Sequence, residues 1–202
     1  MLAIPSRPPE TMDTTDLPHA PTCTCTAHPL PPSMRVRDAR DAYLAENGFT
    51  TESYDAPTTA GSFLGMKFSV PNPPPHRRAI RLHDLHHVAT GFGTDHAGEA
   101  EISAWQARRG LRPAGGYVTA IVIANALLGI VFAPRRTWDA LHAASGGGSL
   151  FSTPVDYDAL LDTSVVELRA MLGIPEQGLT ARPRSLHAHA PGASLGSRKS
   201  RL

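Results

Sequence analysis

The chain has 202 residues, 41% of them hydrophobic and 18% charged, and its 19 basic and 18 acidic residues leave a formal net charge of +1. This length predicts one folded domain with tails. The near-neutral charge excludes binding driven by an overall basic surface, so we expect no nucleic-acid partner. The two cysteines, Cys23 and Cys25, lie too close in sequence to staple a fold. This excludes a disulfide-rich secreted scaffold and favours a reducing cytoplasm.

Both ends of the chain differ in composition from its middle. Residues 1–33 hold eight prolines and almost no apolar periodicity, which predicts a disordered leader. This segment lacks the apolar stretch of a secretory signal, and its acidic residues are not typical of a mitochondrial presequence. Residues 180–202 are predicted to form a second disordered tail. We therefore expect a single helical domain over residues 34–179.

Between the tails the apolar residues follow helical spacing, and we find no alternating strand pattern or internal repeat. A short extended stretch is expected within residues 61–75. Caps and glycines then delimit the helices. The predicted helices cover residues 34–46, 77–90, a segment capped by Thr94 or Asp95 and running to Arg109, 117–132, 137–144, 157–161 and 164–172. The predicted fold class is all-α.

The most apolar stretch covers residues 117–132. As a helix its sixteen residues would span about 24 Å, short of a hydrocarbon layer of about 30 Å. We interpret it as a buried core helix, with a lipid-lining or membrane-touching helix as the alternative, and we do not expect a spanning segment. Its glycines and alanines either leave room for an apolar channel or permit close helix packing.

Four of the ten histidines lie within fourteen residues: His83, His86, His87 and His96. On a helix His83 and His87 are one turn apart, so their rings project from one face and can share a divalent ion. Asp84 lies beside them and could bind the ion or orient a ring, and Glu99 follows the turn into the next helix. An αα-hairpin would thus assemble His83, Asp84, His87 and Glu99 as a set of oxygen and nitrogen ligands. His86 and His96 are expected to support these ligands or to face solvent.

A solvated surface pair is the simpler interpretation of two histidines on one helix. Ile80, Leu82 and Val88, however, place much of this helix in the interior. Burying an imidazole or a carboxylate without a partner costs about 2–7 kcal/mol per group, which favours a bound ion. The ligand types suit Zn, Fe or Mn and tolerate Mg, and Zn is the ion we favour.

These residues also resemble the motif of a known family. The run from His83 to His87, HDLHH, followed after eleven residues by Glu99, resembles the HDxxH-x11-E signature of the ubiquinone (coenzyme Q) biosynthesis protein 4 family. Residues 90–99, TGFGTDHAGE, are similar to the family's TGxxTDxxGE run. Trp105, the apolar helix and the segment 165–174 extend the similarity over about residues 38–175.

The resemblance implies an all-α fold with a metal site beside an apolar, lipid-accepting cavity. It implies that His83, Asp84, His87 and Glu99 are the ligands of a divalent metal or their immediate partners. These four would then be the catalytic residues for a polyprenylated hydroxybenzoate-like precursor of ubiquinone. The implied reaction is oxidative decarboxylation, in which a hydroxyl group replaces the ring carboxylate. Implied partners are a prenylated aromatic or isoprenoid lipid and other quinone-biosynthesis proteins. We expect a bacterial cytoplasmic protein with peripheral contact to the inner membrane, and a homodimer is compatible with the sequence.

Two other functions stay open. A non-catalytic carrier or scaffold for prenyl lipids would use the same ion for structure alone. A metal phosphohydrolase of the HD type would need further His and Asp ligands from separate helices. The sequence offers few candidates for them: His142 with Asp139 or Asp158. The sequence contains no phosphate-binding loop, dinucleotide-binding glycine fingerprint or nucleophile triad.

Overall fold

The structure is a computed structural model that describes residues 30–63, 66–112 and 114–180. The described chain is mostly helical, which confirms that part of the predicted fold class. The predicted leader and tail lie outside the described residues, apart from residues 30–33 and residue 180. The elements in chain order are α1 (Val36–Glu46), a 3-10 helix (Thr51–Asp55), β1 (Thr58–Phe63), β2 (Met66–Pro71), α2 (Pro74–Thr90), α3 (His96–Arg109), α4 (Gly115–Phe132), α5 (Pro134–Ala143), α6 (Tyr157–Leu161) and α7 (Val165–Met171).

A β-hairpin lies between α1 and α2, where the sequence predicts only a short extended stretch. Its strands pair antiparallel, with Thr58 opposite Pro71 and Phe63 opposite Met66. The predicted extended stretch within residues 61–75 therefore contains one strand of a pair, and the sequence did not predict its partner. The six residues of β1 read TTAGSF and carry no apolar alternation. The pairing of backbone groups with the neighbouring strand, which composition does not reveal, stabilises them as a strand.

The turn between α2 and α3 has the glycine and cap residues that the sequence predicts. Gly91 ends α2 in the left-handed conformation, with φ of 78°. Asp95 is the N-cap of α3, and its carboxylate accepts a hydrogen bond from the backbone N–H of Gly98 at 2.6 Å. Gly110 follows the last residue of α3, as predicted. Local sequence signals therefore define the turn of the αα-hairpin and the end of α3.

Helix α2 begins three residues before its predicted start. Prolines occupy its N-cap and first two helical positions, at Pro73, Pro74 and Pro75. The first turn of a helix tolerates proline because the N–H groups there have no helical partner, and proline's fixed φ suits the helix. The proline run at the end of the predicted extended stretch, residues 61–75, therefore also starts the helix.

The other end of α2 is held by a buried arginine from α7. The guanidinium of Arg169 donates to the backbone carbonyl of Ala89 at 2.9 Å and also to that of Glu176. These contacts satisfy a carbonyl in the last turn of α2, which has no partner within the helix. Helix α7 thereby fixes the C-terminal end of α2, which is the part of the helix that carries the histidines.

Helix α4 is much more exposed than a core helix. Its buried residues are Val118, Val122 and Gly129, on the side that packs against α3 and α5. Leu127 and Val131 are 57% and 71% exposed. By length and composition alone, α4 is also long and apolar enough to cross a membrane, with a mean hydropathy of 2.0. The predicted core helix is therefore wrong, because uniform hydrophobicity does not reveal which faces find a packing partner.

We expect Gly98→Ala to destabilise the hairpin. A Cβ at this position would lie 2.0 Å from the carbonyl oxygen of Gly93, which is backbone and cannot move independently of the turn. Overpacking of this kind costs about 1–3 kcal/mol or more, measured as the free energy of unfolding in urea. Gly116→Ala is the control, since its Cβ would meet nothing within 4 Å. Equal stability of the two variants would contradict the tight turn.

Candidate metal centre

The αα-hairpin brings two imidazoles and a carboxylate together. His83 and His87 project from α2, and their Nε2 atoms lie 3.0 Å apart. Glu99, in the first turn of α3, places one carboxylate oxygen 3.3 Å from His83 Nε2 and the other 3.4 Å from His87 Nε2. Glu99 therefore faces the histidine pair across the hairpin. In the described part of the chain this is the group of histidine and acidic residues that can hold a metal ion.

The turn orients the buried ring of His87. Its Nδ1 lies 3.0 Å from the backbone carbonyl oxygen of Phe92. A carbonyl can only accept, so Nδ1 carries the proton and donates it, which leaves Nε2 of the neutral ring as an acceptor. The ring of Tyr43, from α1, stacks on the His87 ring, with the two ring centroids 5.4 Å apart. His87 thus presents a lone pair to Glu99 and His83 in a fixed orientation.

The contact between His87 and Glu99 requires a positive charge. The Nε2 lone pair and the carboxylate oxygen are both acceptors, and 3.4 Å between them is favourable only with a cation or a proton in place. Burial by itself lowers the pKa of His83, but Glu99 outweighs it, so this pKa lies above its ordinary value of 6.5. Burial raises the pKa of Glu99, but His87 and His83 outweigh it and hold this pKa well below 4.5. Both shifts favour a protonated His83 beside an ionised Glu99, so a proton and a metal cation compete for this site.

The distances fit a divalent metal. Atoms bound tetrahedrally to one zinc ion at about 2.0–2.2 Å lie about 3.3–3.6 Å from each other, and the observed separations are 3.0–3.4 Å. The side chain of His87 is fully buried, whereas those of His83 and Glu99 are 23% and 33% exposed. Three protein ligands with one accessible side are typical of catalytic metal sites, whereas structural zinc sites have four.

Asp84, the fourth predicted ligand, has a different partner. Its carboxylate accepts a 2.6 Å hydrogen bond from the hydroxyl of Tyr54. Burial raises the pKa of Asp84, while His83 and the bond from Tyr54 lower it in part. Asp84 is not in the group of ligand atoms that lie within 4.8 Å of one another. Its role as a ligand stays a prediction, and in the structure it is a buried acid beside the site.

A buried glutamine behind the histidines was not identified by the sequence analysis. The amide of Gln106 on α3 lies 3.0 Å from Nδ1 of His83 and 2.9 Å from Nδ1 of His86. His86 in turn accepts a hydrogen bond at Nε2 from the backbone N–H of Leu150, at 2.9 Å. Burial, His83 and His87 hold the pKa of His86 well below 6.5, so the ring is neutral. The seven-residue interval from Glu99 to Gln106, two helical turns, is the only sequence signal for this residue.

The other histidines and acids considered lie elsewhere. His96 is exposed at the start of α3, so of the two supporting histidines His86 is the buried one. His142 and Asp139 are exposed on α5, and Asp158 is exposed on α6. None of these three belongs to a metal-binding group among the described residues. The structure therefore provides no ligand set for an HD-type phosphohydrolase within that part of the chain.

Two clefts in the described part of the chain are lined largely by charged side chains. One of about 330 Å³ is lined mainly by Arg77, Arg78, Arg81 and Asp55. A larger one of about 670 Å³ carries four arginines and four acidic residues. Lipid cavities are instead lined predominantly by apolar side chains. An apolar cavity beside the metal site stays a prediction.

We expect the purified chain to bind one divalent ion and Glu99→Gln to weaken the binding by more than about 100-fold, because loss of even an outer contact costs about 10–100-fold. Glutamine keeps the shape of Glu99 and removes its charge. His142→Ala, which removes an exposed imidazole, is the control and should bind normally. Calorimetric titration with Zn²⁺ and metal analysis after dialysis measure both. Unchanged affinity in Glu99→Gln would exclude this cluster as the site.

Comparison with known proteins identifies no relative. No family model, no curated protein and no solved structure matches the chain. The resemblance to the ubiquinone biosynthesis family therefore depends on the motif residues alone.

Proposed function

We propose that this chain is a metal-dependent enzyme that carries out oxidative decarboxylation of a polyprenylated hydroxybenzoate-like acid. The observation that supports an enzyme is the cluster of His83, His87 and Glu99, which has three metal-binding groups and one accessible side. The substrate class is taken from the motif resemblance, whose signature contains the same three residues. The proposal therefore combines a site defined by geometry with a substrate suggested by sequence.

The reaction sets requirements for the metal. The carboxyl group leaves as CO₂ and one oxygen atom is added to the ring carbon, so each turnover consumes half a molecule of O₂. A bound divalent cation would supply a Lewis acid that holds a substrate oxyanion and stabilises negative charge. Two histidines and one carboxylate form a ligand set used for both Zn²⁺ and Fe²⁺. The need for O₂ favours Fe²⁺ over the redox-inactive Zn²⁺ that the sequence analysis favours.

The chain's own residues would hold the site in a fixed charge state. His87 is locked by Phe92 and Tyr43, so the substrate would approach from the accessible side, where His83 and Glu99 lie. Burial, Asp84 and Glu99 raise the pKa of Tyr43 well above 10, so its phenol stays protonated. Because the Tyr43 side chain is neutral, it would not repel the substrate's carboxylate. Glu99 and Asp84 provide the negative charge that a cation needs.

A non-catalytic lipid carrier or scaffold is the second candidate, and the exposed face of α4 supports it. Ile123, Leu127, Ile130 and Val131 recur at helical spacing on this face and are 40–71% exposed. A prenyl chain or a lipid surface would bury such side chains, each with a gain of about 1.5–3 kcal/mol. The same face would also suit an enzyme that takes its substrate from a membrane.

For the enzyme, we expect the wild-type chain to restore ubiquinone in a bacterial strain that lacks the ring-decarboxylating step, and Glu99→Gln to fail. The purified, Fe²⁺-loaded chain should release labelled CO₂ from a carboxyl-labelled prenyl hydroxybenzoate and incorporate oxygen from ¹⁸O₂. Melting of Glu99→Gln within a few degrees of the wild type would assign the loss to chemistry. His142→Ala is the control and should rescue. Full rescue by Glu99→Gln would overturn the catalytic role, and its unfolding would favour a structural ion.

For the lipid surface, we expect the chain to bind vesicles of phosphatidylcholine and phosphatidylglycerol. Trp105 is fully buried and Trp138 is 63% exposed, so a blue shift in fluorescence would report on Trp138, at the start of the helix after α4. The double variant Leu127→Ser, Val131→Ser should bind at least about tenfold more weakly, since about 1.4 kcal/mol corresponds to a factor of ten. Met171→Ser, an exposed apolar residue on α7, is the control. Equal binding by all three proteins would contradict a lipid-facing α4.

A further inference from the structure

The buried amide of Gln106 contacts one metal-binding histidine and one histidine that does not bind the metal. Gln106 is fully buried on α3, and one end of its amide lies 3.0 Å from Nδ1 of His83 and 2.9 Å from Nδ1 of His86. The end of the amide that faces the rings carries Nε2, while Oε1 is buried without a hydrogen-bond partner. Which end faces the rings determines which nitrogens of these rings carry protons.

The backbone of Leu150 determines the proton position in His86. Its N–H can only donate, and it points at Nε2 of His86 at 2.9 Å, so this nitrogen has to be an unprotonated acceptor. A neutral imidazole carries one proton, which then lies on Nδ1 and requires an acceptor. An amide N–H placed there would face another N–H. Rotation of the amide by 180° puts Oε1 at the same place and satisfies the bond.

The same oxygen then determines the proton position in His83. With Oε1 facing the rings, its two lone pairs accept from Nδ1–H of His86 and from Nδ1–H of His83. When His83 is neutral, its Nε2 is therefore unprotonated and available to a metal; this atom lies 3.3 Å from Glu99 and 3.0 Å from Nε2 of His87. The opposite amide orientation would leave Nδ1 of His83 as an acceptor, so Nε2 would carry the proton and could not bind a metal.

We propose that Gln106 is a positioning residue whose Oε1 accepts hydrogen bonds from Nδ1 of both His83 and His86 and thereby holds His83 in its metal-binding tautomer. The inference rests on the metal role proposed above and extends it. The loop around Leu150 is coupled to the metal centre through a continuous chain of hydrogen bonds: Leu150 N–H to His86, and His86 and His83 to Gln106. The loop thus sets the state of a ligand that it does not touch.

The tautomer can be observed directly in the metal-free, full-length protein. Long-range ¹H–¹⁵N correlation spectra with labelled histidine, recorded at about pH 8 where an ordinary imidazole is neutral, distinguish protonation at Nδ1 from protonation at Nε2. We expect a proton on Nδ1 of His83, His86 and His87, whether or not His83 also holds a proton on Nε2 beside Glu99. A His83 ring that is protonated at Nε2 and unprotonated at Nδ1 would overturn the proposal. The spectrum does not depend on activity or on bound metal.

Two substitutions separate the acceptor from the shape of the side chain. Gln106→Glu keeps an oxygen toward both rings and should bind Zn²⁺ within about tenfold of the wild type. Gln106→Met has similar length without a strong acceptor and should bind about 10–100-fold more weakly, with loss of the His83 tautomer preference. Gln177→Met, at an exposed glutamine, is the control for the substitution itself.

The outcomes distinguish this inference from the proposed function. Wild-type affinity in Gln106→Met would overturn the positioning role and leave the metal site intact. If Gln106→Met does not fold, the wild-type spectrum and the Zn²⁺ titration of Gln106→Glu still test the positioning role of Gln106. A wild-type chain that binds no divalent metal would overturn the proposed function, while Nδ1–H at His83 would still support the hydrogen-bond chain.

Discussion

The site depends on the convergence of two imidazole nitrogens and one carboxylate within 3.0–3.4 Å of one another. Acceptors this close repel unless a positive charge lies between them, so the fold must hold them there. The turn does so at short range: Gly98 permits the close approach of α3, Asp95 caps that helix, and the Phe92 carbonyl orients His87. A proton on His83 or a bound divalent cation would supply this positive charge.

Buried charged groups hold the two helices of the hairpin from outside. Arg169 satisfies carbonyls at the end of α2, and Arg136 on α5 makes two hydrogen bonds to the buried carboxylate of Glu101, at 3.1 and 2.7 Å. Arg136 also lies 3.5 Å from Asp95, the cap of α3. The side chain of Arg136 is partly exposed and that of Glu101 is buried, so removing Arg136 would leave a buried carboxylate without this cation. These contacts therefore specify the position of α3, and with it that of Glu99.

The molecule separates its polar and apolar features. The cluster that could hold a metal ion lies in a hairpin whose buried polar groups are connected by hydrogen bonds, whereas α4 exposes an apolar face. Packing of α4 on α3 links the two, since α3 carries both Glu99 and Gln106. An enzyme that acts on a lipid-like acid needs both features: a charged centre for the head group and an apolar contact for the tail. A single helix, α3, therefore carries Glu99 of the polar site and packs against the apolar helix α4.

The sequence by itself determined what depends on near neighbours in the chain: the C-terminal end of α2, both ends of α3, the helical spacing of His83 and His87, and the choice of Glu99 as the residue across the turn. It did not reveal that Asp84 bonds to Tyr54, that Gln106 lies between two rings, or that α4 is exposed. Only the tertiary structure decided these, because each depends on a partner from a distant segment. Helical periodicity specifies the direction of a side chain around its own axis, but packing decides what it meets there.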